Sequence, residues 1–563
     1  MSFIIRKTMK SYMSKRRYNI ALTILQGNFD FKVIRLFIKL LLTISTPVRY
    51  ILHKLFCENM LNIYAILTTM FFIQGHLNSF LTIFRKFDKR HRTLLALRKK
   101  VTDAQSSHDW KKSAMEYEIL NKEILYKTRS VNTVYDKTLL QQKLAQLIKN
   151  RNNNNIRDFM NELRLDLTRN IGNIAKKRLH EHFMFIPNTI SKYNNEVKDQ
   201  LNKIANSEDI NLNDKIKFFR ETRHSFGRTA LLLSGGASLG TFHMGVAKAL
   251  FDNNLLPQII AGSSVGSIVA AIISVRTNEE LIETFHHLDE MDLSFFNDHK
   301  TINLIKNFLE KGYLYDDETL IQKLRIVLGE YTFKEAYERT GRILNVSVTP
   351  AETNEPSKVL NYLTAPNVMI WSAVAASSAF PGLFPSQNIY TKKDIGKIEV
   401  ISTHEIIDSY GRKWQDGSLN MDLPVNTVTE MFNCNYFIVS QCNPHIIPLL
   451  CIKRSLNTNT GRILEAEFKH RCKQIQWILP KCIPKKWIKL FTQTWEGDVT
   501  MILPMTSFDP SKLISNPKLE EILDSVKIGE KKTWENLWAV ECNCAIEMHL
   551  ESIYNKLLLD VAT

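Results

Sequence analysis

Five residues, Gly262-Ser263-Ser264-Val265-Gly266, constrain this chain more than any other segment, because G-x-S-x-G spacing makes a sharp strand-to-helix turn with a serine at its tip. The flanks agree with that geometry. Gln258-Ile259-Ile260-Ala261 is a short, mostly apolar run ending at Gly262, and Ile268 to Ile273 is an apolar stretch compatible with a helix. The order strand, elbow, helix makes the Ser264 hydroxyl a candidate nucleophile.

A second glycine turn lies upstream. Arg228-Thr229-Ala230-Leu231-Leu232-Leu233 reads as a buried strand leading into Ser234-Gly235-Gly236-Ala237-Ser238-Leu239-Gly240, and Phe242 to Phe251 then has a helical pattern. A phosphate-binding loop has the same order but needs Lys after its last Gly, where this chain has Thr241-Phe242; nor does Gly235-Gly236-Ala237 fit G-x-G-x-x-G. Nucleotide binding is therefore set aside. N–H groups at a helix N-terminus remain, suited to the transient oxyanion that a serine's attack creates. The base must come from downstream. Asp416, in Trp414-Gln415-Asp416-Gly417-Ser418, sits on a tight Asp-Gly turn, and histidines such as His445 are rivals. Ser264, Asp416 and His445 also stand in the chain order of an α/β-hydrolase triad.

A chain of 563 residues is too long for one ordinary core, so a catalytic domain with flanking regions is expected. Its net charge of +17 raises nucleic acid as a partner, but the distribution argues otherwise. Residues 1–60 carry eleven Lys or Arg against only Asp30 and Glu58, about half the total excess, beside hydrophobic sequence. That combination suits an anionic membrane surface, and no nucleic-acid partner is expected. Met1 to Phe29, basic and free of acid, also fits a mitochondrial presequence. Residues 59–84 contain no Asp, Glu, Lys or Arg, and as a helix these 26 residues would reach about 39 Å, beyond the roughly 30 Å of a hydrocarbon layer. Asn62, Gln74, Gly75, His76 and Asn78 are costly there, and only Ile63 to Ile73 is strongly apolar. A dipping hairpin or in-plane anchor thus competes with a span, and both compete with helices packed on the catalytic domain. None of the eight cysteines is in C-x-x-C spacing, so free thiols are expected and neither a metal nor another cofactor.

From Arg85 to about Arg223 the chain is poor in Gly and Pro, with helix-spaced apolar positions such as Leu140, Leu144, Leu147 and Ile148. Asn152 to Asn155 reads as a loop, and Asp158 to His182 as a further helical stretch with Phe159, Leu163, Leu167 and Ile171 on one face. Beyond Pro448, basic and aromatic residues such as Lys481, Lys485, Lys486, Trp487, Lys489 and Phe491 suit either a membrane interface or a supporting cap that continues the catalytic fold.

Leu232-Leu233-Ser234-Gly235-Gly236-Ala237, the 262–266 elbow and Asp416-Gly417, in that order, resemble the patatin-like phospholipase domain. Phe226 to Leu231, Trp371 to Pro385, Asn443-Pro444-His445 and Trp495 to Thr500 are similar to the plant sugar-dependent triacylglycerol lipases, with the yeast lipid-droplet lipases as more distant relatives. The similarity covers roughly residues 85–550. It implies a three-layer α/β/α fold with a Ser-Asp dyad: Ser264 as nucleophile and Asp416 as base, working through an acyl-enzyme. The family's glycine turn often has a third Gly and a basic residue where this chain has Ala237 and Leu239, and Gly235, Gly236 and Ala237 are the oxyanion-hole candidates.

The expected organisation is a membrane-associating region at 1–84, a helical accessory domain at 85–225, the patatin-like domain at 226–447 and a C-terminal extension packing on it at 448–563. The expected activity is hydrolysis of long-chain acyl esters of neutral glycerolipids, above all triacylglycerol, at a lipid-droplet or endoplasmic-reticulum surface. A phospholipase A or lysophospholipase with the same dyad is the enzymatic alternative, and a silent lipid-droplet scaffold the non-enzymatic one. His287-Leu288-Asp289-Glu290-Met291-Asp292 matches the H-x-x-x-x-D pattern of glycerolipid acyl transfer, against its reading as a solvated helix face.

Overall fold

The computed structural model describes residues 89–562 except 128–134, 154–155, 176–186, 297–300, 354, 393–397, 401–411, 457, 479–485 and 508–512. The expected membrane-associating region, 1–84, and the basic positions Lys481 and Lys485 lie outside the described residues. The chain divides into two compact units, 1–96 and 97–563, and the architecture below is that of the second.

Nine strands are described: β1 (Arg228–Leu233), β2 (Ile259–Gly262), β3 (Ile343–Pro350), β4 (Lys358–Leu360), β5 (Tyr390–Lys392), β6 (Ile398–Val400), β7 (Trp414–Asp416), β8 (Cys434–Gln441) and β9 (Val499–Ile502). Seven form one sheet in the order β4-β3-β2-β1-β8-β9, with β7 also on β3, and β5 and β6 make a separate antiparallel pair. β1 pairs in parallel with both β2 and β8, β3 extends the parallel set beyond β2, and β9 extends it beyond β8. β1 is buried along almost its whole length, as expected of a parallel strand covered on both faces.

The pleat sends alternate residues into two cores. Leu231, Leu233, Ile260, Leu344 and Ile438 join the helices Thr241–Asp252, Val265–Val275 and Leu519–Trp534. Ala230, Leu232, Ala261 and Val439 join the helix Val425–Phe432. The expected α/β/α layering is thus present.

The helices Lys137–Asn153, Ile156–Asp166, Asn188–Asn206 and Leu212–Phe226 share a further core with the helix Leu537–Ala562. Leu140, Leu147, Phe159, Leu163, Leu167 and Ile171 are all buried there, but one expectation needs correction: the helix expected to run from Asp158 to His182 stops at Asp166. The chain then turns so that Arg169 reaches Gly227 O at 2.7 Å and the Glu547 carboxylate at 2.9 Å, and Ile171–Asn173 is a short 3-10 turn. The segment beyond 447 continues the catalytic fold by supplying β9 to the sheet itself.

Candidate active site

Strand register brings the site together. Leu233, the last residue of β1, lies opposite Gly262, the last of β2, so the glycine turn and the serine elbow leave adjacent parallel strands at the same end. β3 continues past both. Val346 is opposite Gly262, and Val348, two residues on, is opposite Asp416 of β7. Because β4 occupies the other edge of β3 at Val346, Ser347 and Val348, β7 takes the edge that β2 vacates. Asp416 therefore stands where β2 would have continued, alongside the elbow that carries Ser264.

The elbow is tight. A Cβ at Gly262 would stand 2.3 Å from Gly266 O, and one at Gly266 would stand 2.3 Å from Leu233 O, so both glycines of the motif are required by contact. Ser264 has φ 51° and ψ −130°, an uncommon conformation for a residue with a side chain. Its N–H donates to Ser377 Oγ at 3.0 Å, and that hydroxyl donates to Ser347 O at 2.7 Å.

Asp416 is fully buried. Its Oδ1 accepts Ser418 N–H at 2.7 Å, whereas Oδ2 has no hydrogen-bond partner. Burial pushes its carboxyl up to about 7, against the lowering effect of Ser418 and of the neighbouring Ser264 side chain, and the Asp422 charge adds to the rise. Oδ2 thus remains free to receive a proton.

Ser264, Asp416, Gly236 and Ala237 line one cavity of about 890 Å³ whose other walls are mostly apolar, including Met244, Ile268, Ile272, Phe296 and Phe384. One expectation fails here. Gly235 N–H donates to Asp422 Oδ1 at 2.8 Å, so it is not available to an oxyanion, and Gly235 does not line the cavity. The next two residues, Gly236 and Ala237, remain as candidate donors.

A profile of the patatin-like phospholipase family matches residues 231–429, and one for a domain of unknown function matches residues 86–224. The chain is 38% identical over 541 residues to a triacylglycerol lipase of Arabidopsis thaliana, covering 92% of this chain and 65% of that one. It is 33% identical to triacylglycerol lipase 4 of Saccharomyces cerevisiae, covering 80% of this chain and 52% of that protein. Against a triacylglycerol lipase of Schizosaccharomyces pombe it is 31% identical, covering 81% of this chain and 96% of the relative. The chain belongs to the patatin-like phospholipase family. It spans about half to two thirds of the length of the first two relatives.

In this patatin-like chain the departure at Ala237 has a visible consequence, because the residue adopts a left-handed φ of 51°. His445 also lines the cavity, but its ring packs edge-on against Phe491 at 5.4 Å and burial lowers its basicity to about 4. His287 is exposed, 3.2 Å from Glu290, while Asp292 pairs with Lys323 at 2.8 Å, and neither lines the cavity. The described cysteines are free thiols.

Two buried groups escaped the sequence reading. Asp422 accepts from Ser263 Oγ and Asn443 Nδ2, each at 2.6 Å, in addition to Gly235 N–H. His243 lies behind the glycine turn, its ring bonded to Ser440 Oγ at 2.6 Å and Ser234 O at 2.9 Å, and burial lowers it to about 4. The only sequence signal for Asp422 is an acid placed among Leu419, Met421 and Leu423.

Proposed function

We propose that this protein is a triacylglycerol lipase that cleaves long-chain acyl esters by a Ser264-Asp416 dyad. The observation that carries the reading is a half-buried serine beside a fully buried carboxyl with a free oxygen, both at the wall of an apolar cavity of about 890 Å³. Ser264 Oγ attacks the ester carbonyl as Asp416 takes its proton. The tetrahedral oxyanion is held by the N–H groups of Gly236 and Ala237, each such donor contributing about 3 kcal/mol or more in the transition state. Collapse expels the glycerolipid alkoxide, which receives the proton from Asp416, and leaves an acyl-enzyme. Asp416 then deprotonates the water that releases the fatty acid.

Apolar walls favour an acyl chain over a polar substrate. Neutral glycerolipid as substrate is supported by the names of the relatives from three organisms. The basic, apolar sequence of residues 1–84 supports work at the cytosolic face of a lipid droplet or the endoplasmic reticulum. Among the described residues no helix is long and apolar enough to cross a membrane. The test is acyl release by the purified protein from triolein emulsions and from phosphatidylcholine vesicles, with Ser264→Ala as control. Release from emulsions that vanishes in the variant is expected. Preference for vesicles would replace this assignment with a phospholipase, and no release from either would leave a scaffold.

A further inference from the structure

Asp422 closes the short helix Ser418–Met421 and is buried, yet it does not line the cavity. Three donors converge on its carboxylate: Gly235 N–H and the Ser263 hydroxyl on Oδ1, and the Asn443 amide on Oδ2. Its own N–H donates to Gln493 Oε1 at 2.6 Å. The three donors come from the turn after β1, the elbow after β2 and the segment after β8, all leaving the same end of the sheet. Burial pushes the Asp422 carboxyl up to about 6 against these three hydrogen bonds, so above that pH it is an ionised acceptor holding charge-assisted bonds.

The clamp joins the two parts of the site that must be in register. One oxygen holds Ser263, adjacent to the nucleophile, and Gly235, adjacent to the candidate oxyanion donors. With its N–H committed to Asp422, Gly235 anchors the start of the turn, and the chain presents Gly236 and Ala237 to the cavity. We infer that Asp422 is a positioning residue of the oxyanion hole, fixing the Gly236 and Ala237 N–H groups relative to Ser264. The inference rests on the serine-hydrolase reading above. A second effect accompanies the first: the Asp422 charge raises the proton affinities of Asp416 and of the buried Cys442 thiol, the titratable groups it acts upon.

The test uses the full chain, a soluble short ester such as p-nitrophenyl butyrate, and a fluorophosphonate probe that reports Ser264 reactivity whatever the natural substrate. Asp422→Ala, shown folded by thermal melting, is expected to lower kcat about 100-fold with KM little changed, and to slow phosphonylation in parallel. Asp422→Asn keeps an acceptor oxygen on Gly235 and Ser263. It should restore most of kcat and of the phosphonylation rate, because the turn and the elbow stay tied, and since the charge beside Asp416 is gone the rising limb of the pH profile should also move to lower pH. A folded Asp422→Ala enzyme with wild-type kcat, or an Asp422→Asn enzyme as impaired as Asp422→Ala, overturns the inference. Should Asp422→Ala fail to fold, Ser263→Ala decides, with kcat expected to fall about tenfold and a wild-type kcat counting against the clamp. Wild-type protein inert to the probe would instead sink the hydrolase reading and this inference with it.

Discussion

The backbone N–H of Ser264 donates to the Ser377 hydroxyl at 3.0 Å, tying the nucleophile to a helix that rests on β3. The tie is needed because Ser264 sits at φ 51°, where a conformation of this kind costs about 1–3 kcal/mol and persists only if its surroundings impose it. Ser377→Ala leaves that N–H without its acceptor and should destabilise the fold by about 1–3 kcal/mol. Turnover should fall about tenfold or more as the hydroxyl drifts from its attack geometry. Urea midpoints together with ester kinetics measure both, and an unchanged kcat would show that the elbow holds its shape without Ser377.

Burial lifts Asp416 to about 7, and the dyad needs it ionised, so turnover should rise with pH through about 7. The same shift has the opposite sign for stability. A carboxyl whose folded value lies above its unfolded one binds its proton more tightly in the folded state, so stability is lost as pH rises between about 4 and about 7. Asp416→Asn should therefore be inactive yet more stable than the wild type, with a gap in melting temperature that opens across that window and levels off above it. A variant that melts below the wild type at pH 8 would contradict the cost assigned to the buried charge.

The elbow and the glycine turn could be read from sequence because each is a local pattern, in which the flanking apolar runs of β1 and β2 and the two glycines of 262–266 specify the turn by themselves. The clamp at Asp422 could not, since its partners Gly235, Ser263 and Asn443 meet only when β1, β2 and β8 align. For the same reason Gly235 looks like an oxyanion donor in sequence and proves to be committed elsewhere. Apolar spacing likewise carries through Leu167 and Ile171 after the helix has ended, because a buried stripe has helical period whether or not the backbone remains helical. β9 follows β8 only after a long helical excursion, which a boundary drawn at 447 cuts off from its sheet.

Ala237 carries a strain that a glycine would not. At φ 51° its Cβ crowds the backbone, at a cost of roughly 1 kcal/mol. Ala237→Gly should then raise stability by up to about 1 kcal/mol, the gain being reduced by the greater freedom of glycine in the unfolded chain. Since the N–H stays in place, kcat should change little. Calorimetry and ester turnover on one preparation check the pair, and a lower melting temperature would mean that the methyl group contributes packing that outweighs its strain.

Arg169 and Glu547 join the helical region to the sheet through a buried pair at 2.9 Å. The guanidinium also donates to Thr229 Oγ1 at 2.9 Å, Asn543 O at 3.2 Å and Gly227 O, and it stacks over the Phe226 ring at 4.8 Å. Glu547 in turn accepts Thr229 N–H at 2.7 Å, so the pair fixes the start of β1, the strand that leads to the glycine turn. Removing the cation leaves a carboxylate buried without its partner, and Arg169→Ala should cost about 3–5 kcal/mol. Combining it with Glu547→Gln should recover part of that loss, because the uncompensated charge is then absent. Denaturant unfolding of the two single variants and the double variant measures the coupling. Additive losses would mean that packing on Phe226, rather than the ion pair, is what Arg169 contributes.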